Sequence, residues 1–429
     1  MPTLAPKLPY THPFAGGYPR VGGQPLPTDP DAIDYLSRVA AADGAAVEVG
    51  VAMAVDQFIK GCKADSAGYA GDPTRTVWDA LKSACIMCGA RTLSGALVSL
   101  KSYGDELMDI ATLDAATIEN AGGSSGQWDA ETKTASNTVI GTNSSYPRFQ
   151  FLTAMSGGKE YLVTGRISGD IASVYGIRAA ATGSYVTLDV ATGSFSGVIS
   201  PTGPYLQLLL NGTQTASVTI ESLSIKEYFA NPTNVANNFV SSDYSRTTGL
   251  KGDGATKYLD TNRAENEEPQ DDISFSVYRT ELQTVSGSHN ISSGLYSLIH
   301  ATLFRNRDNL YGTLHTDATG FKGTSRDTGT SFDFRVGGVT TTAAQASIAP
   351  TTAKFLVFRR GDTNSGYSDS RIAFYHVGSA IPDLAALDTR VTQLITGIKF
   401  HSLTGLVATD YDPDTVAYIV AAYEAGGAL

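Results

Sequence analysis

The sequence predicts a mainly β protein: two β-sandwich (jelly-roll) domains, one inserted in or preceding the other, with an N-terminal helical segment and C-terminal helices. Three observations predict it. Only 17% of the 429 residues are charged and 44 are glycine, a balance suited to a turn-rich β chain. Short apolar segments separated by Gly, Ser and Asn turns recur over two long stretches, 101–228 and 229–399. A chain of 429 residues also exceeds one ordinary domain, since ~150 residues per domain implies two or three cores.

Residues 1–27 carry seven prolines together with Gly16-Gly17 and Gly22-Gly23, and show no period of 2 or 3.6. This is the pattern of an extended arm, either disordered by composition or strapped onto a neighbouring subunit. Residues 28–100 read as a helical docking segment. Thr28-Asp29-Pro30 is a helix start, a capping side chain before a proline in the first turn. Ile33, Leu36 and Val39 then keep helical spacing up to Asp43-Gly44, and Val47, Val51, Val55, Phe58 and Cys62 form a second stripe. A third short helix is expected over Val77–Cys88, with Trp78, Leu81 and Cys85 on one face.

In 101–228, strands are expected at 148–153, 160–167, 174–178, 185–190, 205–210 and 217–226, a spacing that suits a sandwich. In the last of them Val218 and Ile220 share a face, and Leu223 and Ile225 resume it after a gap of three, which predicts a β-bulge. Asn231 to Phe239 is a turn-rich joint. Further strands follow at 249–259, 273–278, 296–304, 310–315, 320–325, 332–336, 354–360 and 371–377. Leu384, Leu387, Val391, Leu394, Ile395 and Ile398 then mark an amphipathic closing helix. In the tail, 400–429, Asp412-Pro-Asp414 caps a last helix carrying Val416, Ile419, Val420 and Tyr423.

A net charge of −11 excludes an ordinary nucleic-acid binder, which needs Lys and Arg against phosphate. The opening residues lack the basic and apolar regions of a secretory signal, and the apolar runs fall short of the ~20 residues a membrane span needs. Neither classical export nor membrane insertion is expected. The three cysteines, Cys62, Cys85 and Cys88, make no disulfide framework. Cys85-x-x-Cys88 lacks a second ligand pair for zinc, so the thiols are expected to act as small hydrophobes. No cofactor or metal is implied.

Glu267-Glu268 and Asp271-Asp272 lie in a polar stretch, where adjacent carboxylates cannot flank a sugar as a glycosidase requires, and a solvated loop is expected. The histidines fall in no nucleophile motif, so no enzyme is expected. Gly249 to Lys257 lacks the Gly-Lys-Ser/Thr ending of a phosphate loop and is expected to be a hairpin turn. For sugar recognition the useful side chains are aromatics beside planar polar groups. Trp128 with Gln127 and Asp129, and Tyr146 with Arg148, fit that description. So do Arg305, Asn306, Arg307, Asp308 and Tyr311, the densest polar-aromatic loop of the second sandwich. Turn or core packing is the commoner role of all such groups.

Gly249-Leu-Lys-Gly-Asp-Gly-Ala-Thr-Lys-Tyr-Leu-Asp260 resembles the entry strand of concanavalin A-like, laminin-G-type sandwiches. Arg371-Ile-Ala-Phe-Tyr-His-Val-Gly378 with Leu387 to Ile395 resembles the closing strand and helix of such domains in bacteriophage tail-fibre and other virion proteins. Ala54 to Ala64 with Val77 to Lys82 is similar to their helical lead-in, and Ser-Leu-Ser-Ile-Lys-Glu at 222–227 resembles carbohydrate-binding-like sandwiches of phage fibres. The resemblance spans roughly residues 50–100 and 231–398 and leaves 103–228 as an insertion. It implies a non-enzymatic virion structural protein of tail-fibre or capsid-fibre type, anchored by its arm and helices to other virion proteins (capsid or tail). Assembly as a homo-oligomer and host attachment through surface glycan are implied with it. A capsid decoration protein that stabilises the shell and a glycan depolymerase are the alternatives.

Overall fold

The computed structural model describes residues 26–101, 103–110, 113, 116–120, 125–139, 147–153, 155, 160–179, 185–228, 234–308 and 313–424. All but the last two residues of the expected arm lie outside the described residues. The protein is mainly β, as its sequence predicts. It divides into two compact units, Met1–Lys101 with Pro232–Leu429, and Ser102–Asn231.

Helix α1, Pro30–Asp43, starts where the Asp29 carboxylate accepts the N–H groups of Asp31 and Ala32, and ends at Gly44 with φ +65°. Its buried stripe is Ala32, Tyr35, Leu36 and Val39. Helix α2, Val49–Ala64, buries Val51, Val55, Phe58, Ile59 and Cys62. Lys63 binds Asp29 at 2.8 Å, tying the two helices together.

The third predicted helix is corrected. Only Val77–Ala80 is helical (α3), one turn closed by a capping box between Thr76 and Asp79. The next residues, Leu81–Ile86, form strand β1. A run this short satisfies both periods, and here an open sheet edge supplies partners for its backbone. A fourth short helix, α4, is Leu93–Ala96.

The 102–231 unit contributes β2 Tyr103–Asp109, β3 Ala116–Glu119, β4 Ser125–Asp129, β5 Thr134–Val139, β6 Arg148–Leu152, β7 Glu160–Gly169, β8 Val174–Ala179, β9 Thr187–Leu188, β10 Ser194–Ile199, β11 Tyr205–Leu210 and β12 Ala216–Tyr228. They make two antiparallel sheets, β4-β5-β12-β7-β10-β9 with β2 alongside β12, and β3-β6-β11-β8. Phe149, Phe151, Ile177, Leu206 and Leu208 from the small sheet join Val163, Ile167, Phe195, Val218, Ile220, Leu223 and Ile225 in one core. The predicted bulge is present: the register steps from Ile220↔Ile167 to Ser222↔Arg166, leaving Glu221 unmatched.

The other unit continues with β13 Val235–Asn237, β14 Tyr244–Ser245, β15 Gly249–Lys251, β16 Tyr258–Ala264, β17 Ile273–Glu281, β18 His289–Ser292, β19 Ser297–His300, β20 Leu303–Asn306, β21 Thr313–Leu314, β22 Gly320–Arg326, β23 Phe332–Val336, β24 Val339–Ala343, β25 Lys354–Val357 and β26 Arg371–Gly378. One sheet runs β14-β15-β26-β17-β22-β23-β24 with β1 paired to β26, and the second runs β13-β16-β25-β18-β19-β20-β21. Phe275, Val277, Phe304, Phe332, Phe355 and Tyr375 pack into one core cluster of this unit. A separate cluster joins Phe321 and Phe374 of the first sheet to α1, α2 and α5, Leu384–Thr404. Phe58 meets Phe374 edge-on at 5.8 Å. The last helix, α6, is Pro413–Glu424.

Two strand expectations change. Residues 249–259 are not one strand closed by a hairpin, because β15 and β16 lie in different sheets. Between them Asp253 accepts the N–H groups of Ala255, Thr256 and Lys257 at 2.8–2.9 Å, so the segment is an arch. Residues 296–304 fold back on themselves as β19 and β20. Where the chain resumes at Asn234, its backbone N–H and side-chain amide both donate to Leu97 O, at 3.2 and 3.0 Å.

Candidate functional site

Alternation along β3, β6, β11 and β8 sends Phe149, Phe151, Leu206, Leu208 and Ile177 into the core and leaves their neighbours on the opposite face. The register aligns Thr117, Gln150, Gln207 and Arg178 in one row across all four strands. Arg178 is built into that row. Its Nε donates to Gln207 Oε1 at 2.9 Å and its Nη1 to the Tyr185 hydroxyl at 3.1 Å, with the guanidinium 5.5 Å from the Tyr185 ring centroid. Gln207, the seat of this arrangement, is buried.

The Tyr185 ring lies where a side chain on residue 176 would stand, and an added Cβ on Gly176 would come within 2.5 Å of it. Glycine there lets the ring lie down on the sheet. Tyr175 meets Tyr185 edge-on at 6.3 Å. Tyr175 is 54% exposed, Tyr185 47% and Leu152 64%, so two rings and an aliphatic side chain border a row of amides and a held guanidinium. Arg148, on the next row, pairs with Glu119 at 3.2 Å. Such a face can stack on the C–H side of a pyranose while Gln150 and the Arg178 guanidinium, both half-buried, hydrogen-bond its hydroxyls, with the buried Gln207 holding Arg178 in place from beneath.

Of the residues singled out in the sequence, Arg148 is on this face. Trp128 is not: its ring packs edge-on against Phe151 at 4.9 Å, half-buried beside the core. Tyr146 and Tyr311 lie outside the described residues. In the other unit, Arg305 is half-buried and donates to Leu295 O at 2.9 Å. Asn306, Arg307 and Asp308 are fully buried. Asn306 donates to Thr324 Oγ1 at 3.3 Å, and Arg307 donates to the carbonyls of Glu265, Glu268 and Pro269. Asp308 accepts the Asn306 N–H at 3.2 Å. These polar groups cross-link the interior of the sandwich.

Of the acid pairs, Glu267 is exposed and Asp271 half-buried, as a solvated loop would have them, but Glu268 and Asp272 are buried and paired. Arg75 clamps Asp272 through both guanidinium nitrogens at 2.7 and 2.9 Å, while Glu268 binds Arg263 and accepts from Ser379 Oγ at 2.8 Å. Cys85 and Cys88 sit in different cores. Burial pushes both thiols up, Cys88 to about 12, so neither is a thiolate near neutral pH.

Other polar groupings are committed to the fold. Arg359 lies over Tyr258 and Tyr367, 4.5 and 5.4 Å from their ring centroids, but its guanidinium donates to Thr363 O and pins its own loop. His376 contacts Ser274 and Ser276, yet all three are fully buried. Among the described residues no cluster of three or more metal-ligating side chains occurs. Comparison with protein-family models, with curated proteins and with solved structures finds no match to this chain.

Proposed function

We propose that the protein is a non-enzymatic virion structural protein of bacteriophage tail-fibre or capsid-fibre type, and that the 102–231 unit binds host-surface glycan. The observation that carries the glycan reading is the outward face of the small sheet, where Tyr175, Tyr185 and the seated Arg178 flank Gln150 and Gln207. The Tyr185 ring already lies over Gly176 and the guanidinium is held by Gln207, so little freedom of these two side chains is lost on binding. The single carboxylate of these rows among the described residues, Glu119, is paired with Arg148, which suits holding a sugar rather than cleaving one. The virion assignment rests on the resemblance of the entry arch, closing strand and helix to phage sandwich domains, with other virion proteins as the anchoring partners.

The test is retention of the full chain on an array of bacterial surface polysaccharides, followed by Tyr185→Ala and Arg178→Ala. Binding should fall about tenfold or more in each, as expected when one aromatic or guanidinium anchor is lost. No retained glycan, or equal binding by both variants, would overturn the glycan reading. Immunogold labelling of particles tests the virion reading: label on a tail or capsid fibre supports it, and label spread over the shell favours the decoration alternative.

A further inference from the structure

We infer that β24 is a self-association edge, through which two copies of this chain pair antiparallel and join their sheets into one. In the unit of residues 1–101 and 232–429, three of the four edges at the ends of the two sheets are stubs, β14 and β21 with two residues each and β13 with three, while the outer side of β1, which flanks β26, is covered where Ser99 bridges Cys85 and Leu100 N–H donates to Ala84 O at 2.8 Å. Short edges are one of the ways monomeric proteins avoid unwanted pairing. The fourth edge, β24, runs five residues, Val-Thr-Thr-Thr-Ala. Its first four residues are exposed, Val339 by 63%. It has no proline, no charge and no bulge, and its register against β23 is unbroken from Phe332↔Ala343 to Val336↔Val339. Four of its five residues are β-branched, which favours an extended backbone.

The hairpin fixes which backbone groups face outward. Gly337 and Gly338 form a two-residue turn with φ +57° and +78°, so Val336 and Val339 close it as a hydrogen-bonded pair. Bonded pairs then recur at every second residue, at Phe334↔Thr341 and Phe332↔Ala343. The N–H and C=O groups of Thr340 and Thr342 therefore point away from β23.

That spacing is self-complementary. With Thr341 on a two-fold axis, Thr340 of one copy faces Thr342 of the other, and each such pair exchanges two hydrogen bonds. Thr341 meets its own copy at the closer, non-bonded position. Each row then reads Arg335, Thr340, Thr342, Asp333 across the junction. No like charges are opposed, and Arg335 and Asp333 keep their partners, Asp388 and the Thr342 hydroxyl. This pairing uses no residue of the aromatic face on the other unit.

The experiment is sedimentation analysis of the full chain beside Thr342→Pro and Thr341→Lys. Proline removes an N–H that points to solvent in the isolated hairpin and leaves the β23 ladder intact. The lysine places two ammonium groups against each other on the axis. The wild type should sediment at twice the 45.0 kDa chain mass, or as a larger assembly built from such pairs. Both variants should halve that mass, with far-UV circular dichroism unchanged and the melting temperature within a few degrees, the proline variant losing the exposed bond from the Thr342 hydroxyl to Asp333. A monomeric wild type, or variants that keep the wild-type mass while folded, overturns the proposal. Thr341→Lys decides alone if the proline variant fails to fold.

Discussion

His376 shows how a residue with catalytic chemistry becomes a structural one. Ser274 Oγ donates its single proton to Ser379 O at 2.5 Å, so toward His376 Nε2, 3.0 Å away, it can only accept. Nε2 therefore carries the ring proton, and Nδ1 accepts from Ser276 at 2.5 Å. The imidazole is satisfied as a neutral ring, and burial pushes it down from 6.5 to about 3. The sign follows: the unfolded chain binds a proton below 6.5 that the folded chain refuses until about 3. Stability from this residue is complete above 6.5 and is lost progressively as pH falls from there through 3. Near pH 5 the loss is ~2 kcal/mol. His289 and His315, each pushed down to about 4 by burial, act in the same direction. The measurement is thermal midpoint against pH from 7 to 5, where His376→Gln should give a shallower fall than the wild type. Equal slopes would refute the assignment. Of the candidate site, Arg148 was legible in the sequence as a planar polar side chain close to an aromatic, Tyr146. Tyr175, Tyr185 and Arg178 were not, since their grouping depends on which strand pairs with β11, and the sequence of β8 alone does not say.

At the scale of the element, the bulge in β12 makes a contrast between two deletions. Glu221 is the unmatched residue, exposed and paired with Arg166 at 3.3 Å. Removing it restores plain alternation, leaving Val218, Ile220, Leu223 and Ile225 on the core face and their β7 partners unchanged. Removing Ser224 instead moves Ile225 and all that follows to the opposite face. Deletion of Glu221 should therefore leave a folded protein weakened by less than ~2 kcal/mol, and deletion of Ser224 should unfold the 102–231 unit. Urea unfolding followed by circular dichroism separates them, and equal damage from both would contradict the register. The bulge was readable because its apolar phase slips on both sides. Other strands were hidden by their own inward residues. In β5 the buried position 137 is an asparagine, whose side-chain N–H groups donate to Asn211 O and Gln214 O at 3.2 and 2.9 Å. In β10 a glycine stands between Phe195 and Ile199 and breaks the alternation. The failure at residues 81–86 had a different cause, a segment whose period is ambiguous until a sheet edge is present to receive it.

At the scale of the whole molecule, the division into Ser102–Asn231 and the remainder carries a prediction of its own. Each unit has its own hydrophobic clusters, with the residues around Phe151 and Ile225 in one and those around Phe374 and Phe275 in the other. A chain of about 130 residues can bury enough surface to fold alone. In the remaining unit, β1 pairs with β26 although nearly three hundred residues separate them, and Asn234 bonds Leu97 O on the far side of the insertion. The parent fold is therefore closed by its own contacts. Replacing 102–231 with a short Gly-Ser linker should leave a soluble unit whose melting temperature stays within a few degrees of the matching transition in the full chain, because a flexible closure of this length costs about 1–2 kcal/mol. The excised unit, expressed alone, should melt cooperatively and keep whatever glycan the full chain binds. Calorimetry of all three proteins checks this. Two transitions in the full chain, each reproduced by one fragment, is the expected result, and a remainder that cannot fold without 102–231 would show that the two units form one cooperative structure.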